Sequence, residues 1–183
     1  SETKNEKIGT TDITLSNGVT VTLKPTAYKN DEILMDAWRW GGFQKFDIAD
    51  KENAQYSANI IQQMGVSDMS PTDLRKYMAG KTVSVTPYLN DHEEGIEGRS
   101  SVKDFETFLQ MTYLYFTSPR KDQALFNSYN NKKKSSLQYL KQNPQTFFSD
   151  TVSKIAYNNN PWAGGVPSAE DYDKISLDKT FGI

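Results

Sequence analysis

The stretch DITLSNGVTVTLKP, at residues 12–25, carries the clearest local pattern in the chain. Apolar residues alternate with polar ones on both sides of Asn17-Gly18, at Ile13, Leu15, Val19, Val21 and Leu23. A period of two is typical of a half-buried β-strand. Asn and Gly both tolerate the positive φ that a tight hairpin turn requires. The stretch therefore predicts a β-hairpin that turns at Asn17-Gly18.

Similar patterns further along the chain predict the other elements. Strands are expected at residues 32–42, 81–91 and 95–101. Helical periodicity and capping residues predict helices at residues 50–64, 70–80, 101–118 and 122–141, and others that begin near 143, 168 and 176. In the first of these helices, Ala54, Ala58, Ile61 and Met64 form the expected apolar side.

The order of these elements indicates an α+β fold. We expect two layers, an antiparallel or mixed sheet with helices on one face. The sheet should have at least four strands and should include the Asn17-Gly18 hairpin.

Composition excludes several classes of function. The 183 residues carry a net charge of −2, which favours neither nucleic acid nor an anionic membrane as a partner. No apolar run approaches the roughly 18 residues of a membrane span. Cysteine is absent and His92 is the one histidine, so a zinc site with two histidines cannot form within this chain. The absence of cysteine is compatible with a cytosolic protein and favours an exported, periplasmic one.

Residues 1–183 are interpreted as one domain. The sequence starts at Ser1 without methionine, and helix signals near Ser176 begin shortly before it ends at Ile183. Both features predict a fragment of a larger chain.

The acidic segment NDHEEG, at residues 90–95, collects Asp91, His92, Glu93 and Glu94. We interpret it as a hairpin turn rather than a metal site, because adjacent residues in a turn rarely converge on one ion and the spacing matches no zinc-peptidase order.

Two aromatic groups are interpreted as packing residues. Trp38 and Trp40 lie on the same face of one predicted strand and are expected in the core or an interface rather than in a ligand site. Tyr113, Tyr115 and Phe116 are expected in the core of their helix. In the helix that begins near 143, the apolar residues are Phe147, Phe148, Val152 and Ile155.

The whole set of elements, in this order, resembles one domain of the insulinase/pitrilysin family of zinc peptidases. The phrases that carry the resemblance are Leu15-Ser-Asn17-Gly18-Val-Thr-Val21, Gly41-Gly42, Gly65 with the capped helix 70–80, Phe116-Thr-Ser-Pro119, Asn143-Pro144 and Asn160-Pro161-Trp162-Ala163-Gly164. The resemblance implies a metallohydrolase-like domain of the mitochondrial processing peptidase type.

In active members of that family, the helix at 50–64 reads His-x-x-Glu-His. Alignment with this pattern places Gln55 and Asn59 at the histidine positions and Ala58 at the glutamate position. The distal acidic ligand falls at Ser136. All four positions depart from the active pattern, so the resemblance implies a degenerate domain without catalytic or metal-binding residues. It further resembles the third domain of a four-domain bacterial member.

We therefore expect a non-catalytic domain of a zinc-dependent endopeptidase. It would form part of the substrate chamber and support a separate catalytic half, in the same or another chain, that holds the zinc. The expected partners are that half and a peptide substrate. Two alternatives stay open: a catalytically dead interaction or scaffold subunit of the same fold, and an unrelated α+β ligand-binding domain.

Overall fold

A computed structural model of the protein describes residues 1–163 and 165–183, without the side chain of Lys141. Gly164, the last residue of the predicted 160–164 loop, lies outside the described residues. The chain divides into two compact units, residues 1–32 and 33–183. The interpretation of residues 1–183 as one domain of a larger chain stays a prediction.

The first unit is a three-stranded antiparallel sheet of β1 (Glu2–Asn5), β2 (Thr10–Thr14) and β3 (Thr20–Leu23). The predicted hairpin is confirmed as β2–β3. Its turn is longer than a two-residue turn, since the Leu15 N–H donates to Val19 O at 2.8 Å and the Gly18 N–H donates to Leu15 O at 3.1 Å. Gly18 has a φ of +87°, so glycine supplies the positive φ without Asn17.

The second unit contains β4 (Glu32–Trp40), β5 (Val83–Leu89) and β6 (Glu93–Ser101), in the order β4-β6-β5. The expectation of one sheet with at least four strands that includes the hairpin is wrong, because the strands form two sheets of three. The hairpin pairs instead with β1, for example Glu2 with Ile13. β1 reads ETKN and lacks any apolar alternation that would have predicted it.

The predicted helices are confirmed. They are α1 (Lys51–Met64), α2 (Pro71–Tyr77), α3 (Phe105–Thr117), α4 (Gln123–Gln142), α5 (Pro144–Ala156), α6 (Ala169–Asp173) and α7 (Leu177–Gly182). Capping explains several of the starts. The Ser70 hydroxyl accepts from the Asp73 N–H at 3.2 Å, and Ser168 forms a full capping box with Asp171.

Helices α1 and α3 pack on β5 and β6. The β6 residues Ile96 and Ser100 are buried on that side, and a Cβ at Gly98 would touch the Phe108 ring. The opposite face of the same sheet carries exposed apolar side chains, described below. The second sheet is therefore covered by helices on one face, as the sequence predicts.

The core is built around α1. Its buried apolar cluster is Ile60, Met64, Phe126, Leu137, Tyr172, Ile175 and Leu177. The buried side of α1 is Ala54, Ser57, Ile60 and Met64, rotated slightly from the predicted side because Ala58 and Ile61 are only half-buried. Among the described residues, none of the helices has the length and hydrophobicity needed to cross a bilayer.

Candidate functional site

The degenerate metal-site positions lie on two neighbouring helices. Gln55 and Ala58 are half-buried on α1, and Asn59 is exposed there. Ser136 is exposed on α4, and its hydroxyl donates to the Lys133 carbonyl at 2.7 Å. No hydrogen bond between the described residues joins Ser136 to Gln55 or Asn59. The assignment of these four positions to a former metal site stays a prediction.

The side chains at these positions do not fit zinc. Zinc in proteins takes imidazole, thiolate and carboxylate ligands, whereas the four positions offer two carboxamides, a methyl group and a hydroxyl. Within residues 1–163 and 165–183, no group of three or more His, Cys, Asp or Glu side chains is arranged to hold a metal.

Residues 90–92 of the acidic segment form the predicted turn between β5 and β6, and residues 93–95 begin β6. The Asn90 N–H donates to Glu93 O at 2.8 Å, and Asp91 and His92 are exposed. The Glu94 carboxylate contacts the Lys45 amine at 2.9 Å and the Arg39 guanidinium. These side chains therefore belong to a turn and an ion-pair cluster.

Three adjoining cavities lie in a row on the protein surface, and Gln55 lines the first and the third of them. The first has a volume of about 360 Å³ and lies between α1, α5 and residues 159–163 and 165–168. The second, of about 350 Å³, lies along α5, and the third, of about 330 Å³, lies beside Trp162. The first shares wall residues with both others, namely Ser153, Gly165 and Val166 with the second and Gln55, Asn160 and Ala163 with the third. We call these three cavities together the groove.

One end of the groove is aromatic. The rings of Phe43 and Trp162 stack with centroids 5.7 Å apart and an interplanar angle of 21°. Asn160 holds Trp162 in place, because the Asn160 side-chain oxygen accepts from the backbone N–H of Trp162 at 2.9 Å. Phe43 is fixed by its own N–H, which donates to Asn90 O at 2.8 Å.

Residues 41–44 approach the β5–β6 turn so closely that a glycine is required there. Gly42 has a φ of +76°, and a Cβ there would collide with the Asp91 carbonyl group. Gly42 thus lets residues 41–44 lie against the turn, so that Phe43 reaches Trp162.

Most of the ionised groups beside the groove form ion pairs, and the two others, Lys51 and Asp91, carry opposite charges. The Lys174 amine lies 2.9 Å from the Asp171 carboxylate and 3.6 Å from that of Glu52. Burial alone would raise the pKa of Asp171, but the hydrogen bond from the Ser168 N–H and the interaction with Lys174 outweigh it and hold that pKa at about 2. On α5, Lys154 pairs with Asp150 at 2.6 Å.

Helix α5 presents its polar side to the protein. The polar residues Thr146, Asp150 and Ser153 are half-buried and line the groove. The Asp150 carboxylate accepts from the Val166 N–H at 2.8 Å, which fastens this side of the helix to the groove wall. The hydrogen-bonded ion pair with Lys154 and the hydrogen bond from the Val166 N–H lower the pKa of Asp150. Thr146, Asp150 and Ser153 are spaced i, i+4 and i+7, so the sequence itself shows this polar side of the helix, although the prediction did not include it.

The apolar side of α5 faces outward. Phe147, Phe148, Val152 and Ile155 are 67%, 63%, 46% and 74% exposed. We call these four residues the α5 stripe. An apolar side that faces solvent reverses the usual arrangement of a surface helix, and such a surface marks a site of interaction.

A second apolar surface lies on the uncovered face of β4. Leu34, Trp38 and Trp40 are 72%, 52% and 74% exposed, and the two indole rings make an edge-to-face contact at 5.1 Å. We call these three residues the β4 face. Burial of the tryptophans in the core of this chain is therefore wrong. The core prediction is also wrong for Tyr113 and Phe116, which are 66% and 67% exposed.

Comparison with known proteins identifies the class of the fold. The periplasmic protease PqqL from Escherichia coli matches the whole chain with a TM-score of 0.80 and 18% identity, and the match covers 20% of PqqL. An inactive domain of peptidase M16 from Pseudomonas fluorescens matches 94% of the chain with a TM-score of 0.75 and 16% identity, over 42% of that protein. The fold is that of an M16 peptidase domain.

Sequence comparison agrees with the fold. A zinc protease PQQL-like protein of Arabidopsis thaliana is 23% identical over 157 residues, which are 84% of this chain and 14% of the relative. No protein-family model matches the chain. The predicted resemblance to the insulinase/pitrilysin zinc peptidases is confirmed in the fold, and the chain spans a small part of the length of these proteins.

Proposed function

We propose that residues 1–183 form a non-catalytic domain of a zinc-dependent endopeptidase. The domain forms part of the substrate chamber and supports a separate catalytic half. The observation that carries the proposal is an M16 peptidase fold in which the positions aligned with the zinc site hold Gln55, Ala58, Asn59 and Ser136. A methyl group at position 58 has no proton to exchange with water, so this helix lacks a general base.

The proposal places the zinc in the catalytic half and no cofactor in this chain. The whole protein is then the enzyme, and this chain alone is not. Export to the periplasm is part of the proposal, supported by the periplasmic protease with the same fold and by the absence of cysteine.

The two exposed apolar surfaces support a partner. The α5 stripe and the β4 face together expose Phe, Trp, Leu, Ile and Val side chains, which a catalytic half would cover. The matched proteases are several times as long as this chain, so such a half is available in proteins of this fold.

The first test is to determine the complete reading frame of the gene. A His-x-x-Glu-His motif upstream of Ser1 supports a catalytic half in the same chain. The second test uses the whole protein with Phe148→Ser and Ile155→Ser together. We expect loss of peptidase activity with unchanged folding of this domain, because both side chains are exposed. Tyr28→Ser, at an aromatic residue that is 96% exposed, is the matched control and should keep full activity. Full activity in the stripe variant would overturn the role of the stripe.

A catalytically dead subunit of a separate complex is the second candidate. The Pseudomonas fluorescens protein favours it, since an inactive M16 domain there occurs in a chain of which this one covers 42%. A reading frame without the zinc motif, together with co-purification of a zinc peptidase, would select this candidate. The fold match removes the third alternative, an unrelated α+β domain.

A further inference from the structure

We propose that the groove binds an extended, uncharged polar stretch of polypeptide through its main-chain amides. The inference rests on the proposed function, because it assigns a place on this domain to the peptide substrate. It commits to a polypeptide, and the following observations support that ligand.

Unpaired carboxamides lie along all three cavities. Gln44 and Gln55 line the third cavity, Gln55 also lines the first, and Gln145 lines the second. None of these three side chains makes a hydrogen bond with another described residue. A carboxamide offers two N–H donors and one carbonyl acceptor. It is therefore complementary to a peptide group, which offers one of each.

The charges of the groove do not favour an ion. Asp150 pairs with Lys154, and Lys174 pairs with both Asp171 and Glu52. A ligand that carries a strong net charge would meet pairs that are already neutralised and one further charge of each sign, Lys51 and Asp91. An uncharged chain avoids the desolvation cost that a buried ion would pay.

Helix α5 gives independent support. Its polar residues Thr146, Ser149 and Ser153 line the groove while its apolar stripe faces outward. Hydroxyls turned towards a cavity supply further hydrogen-bonding groups for a polar chain. The stacked rings of Phe43 and Trp162 at the other end offer an apolar contact for one side chain of the ligand.

The test is an NMR titration of the ¹⁵N-labelled chain. The probe is a twelve-residue peptide of Gln, Ser, Gly and Ala with one Phe near an end and with both termini blocked. We expect the side-chain NH₂ signals of Gln55 and Gln145 and the backbone signals of residues 161–163 to shift in a saturable way. A second probe replaces every Gly and Ala by its N-methyl analogue. We expect it to bind at least about fivefold more weakly, because it lacks the main-chain donors of every Gly and Ala.

Two variants locate the contact. Gln55→Ala should weaken binding about threefold to tenfold, the effect of one hydrogen bond. Gln63→Ala is the matched control, since Gln63 is an exposed carboxamide on the same helix outside the groove. It should change the affinity less than twofold. The spectra of both variants also report whether they fold.

Several results would overturn the inference: no shifts at the groove, equal binding of the N-methylated probe, or equal effects of the two variants. The proposed function is tested separately by the reading frame and by the α5 stripe variant. If those succeed and the titration fails, the domain supports a catalytic half without holding peptide in the groove. If the titration succeeds but the reading frame and the α5 stripe variant contradict the proposed function, the groove binds peptide in a protein of another function.

Discussion

The buried side-chain oxygen of Asn53 accepts a hydrogen bond from the backbone N–H of Ser176 at 2.8 Å, across 123 positions of sequence. Asn53 is 1% exposed in the first turn of α1, and Ser176 is the residue before α7. The bond ties the helix that carries Gln55 to the C-terminal part of the described chain. It fixes α1 beside the groove, although α1 carries Gln55, Ala58 and Asn59 where the active pattern has His, Glu and His.

Loss of this bond should destabilise the protein. Asn53→Ala leaves the Ser176 N–H without its partner, so we expect the free energy of unfolding to fall by about 1–3 kcal/mol. Asn59→Ala, at an exposed position of the same helix, is the control and should change it by less than about 0.5 kcal/mol. Urea denaturation followed by circular dichroism measures both. Equal stabilities of the two variants would contradict the role given to Asn53.

The glycine that brings Phe43 to Trp162 should be harder to replace than a glycine at an open turn. Gly42 and Gly80 have φ of +76° and +79°, but a Cβ at Gly80 meets no atom within 4 Å. We expect Gly80→Ala to cost about 1–2 kcal/mol, the cost of the left-handed conformation alone. Gly42→Ala adds a collision with the backbone at Asp91 and should cost more. Thermal unfolding of both variants decides the order, and an equal or smaller cost for Gly42→Ala would refute it.

The two sheets show where sequence patterns predict structure and where they do not. Alternation around Asn17-Gly18 predicts β2 and β3, although of the alternating apolar residues only Ile13 and Val21 are half-buried and the others are exposed. β1 lacks alternation, since its four residues are all exposed, so its pairing with β2 and the division into two sheets depend on contacts that no local pattern records. Helix starts were predictable because Ser70 and Ser168 satisfy N–H groups within their own turns.

Stability should fall with acid partly through Asp171. Its pKa is about 2 in the folded protein, below the ordinary value of 3.8. A carboxyl group with a lowered folded pKa stabilises the protein above its unfolded pKa, and this contribution is lost as the pH falls through the folded pKa. We therefore expect part of the loss of unfolding free energy between about pH 4 and pH 2 to disappear in Asp171→Asn.

Ser168→Ala provides the intermediate case. It removes the Ser168 hydroxyl, which accepts from the Asp171 backbone N–H and helps to lower the pKa of Asp171, and it keeps the backbone N–H that donates to the carboxylate. Its pH slope should therefore lie between those of the wild type and Asp171→Asn. At neutral pH it should cost about 1 kcal/mol, as for other N-cap residues. A pH slope of Asp171→Asn equal to that of the wild type would contradict the lowered pKa.

The side of α5 that faces the groove could not be predicted from the sequence. The sequence shows Phe147, Phe148, Val152 and Ile155 as the apolar residues of α5, and apolar stripes usually face a core. In α5, the side that faces the protein packs instead against the polar backbone of residues 165–166. Asp150 makes this contact, because its carboxylate accepts a hydrogen bond from the Val166 N–H. Which side of an amphipathic helix faces inward depends on what lies opposite, and that is set by residues distant in sequence.

The aligned metal-site positions can be tested by restoring the ligands. The variant with Gln55→His, Ala58→Glu, Asn59→His and Ser136→Glu should gain measurable zinc affinity, because positions 55 and 59 are one helical turn apart and face one way. We expect little peptide hydrolysis, since the catalytic partner that encloses substrate is still missing. Isothermal titration with zinc measures the gain. A control without Ser136→Glu should bind zinc more weakly, and equal binding would show that Ser136 is misplaced in the alignment.

The most direct test of the account is the rate at which the purified, unmodified chain hydrolyses a quenched fluorescent peptide in the presence of zinc. With Ala58 in place of a general base and no histidine pair on α1, we predict a rate equal to that of the buffer alone, with or without a chelator. Hydrolysis above that rate in either condition would contradict the proposal that this is a non-catalytic domain.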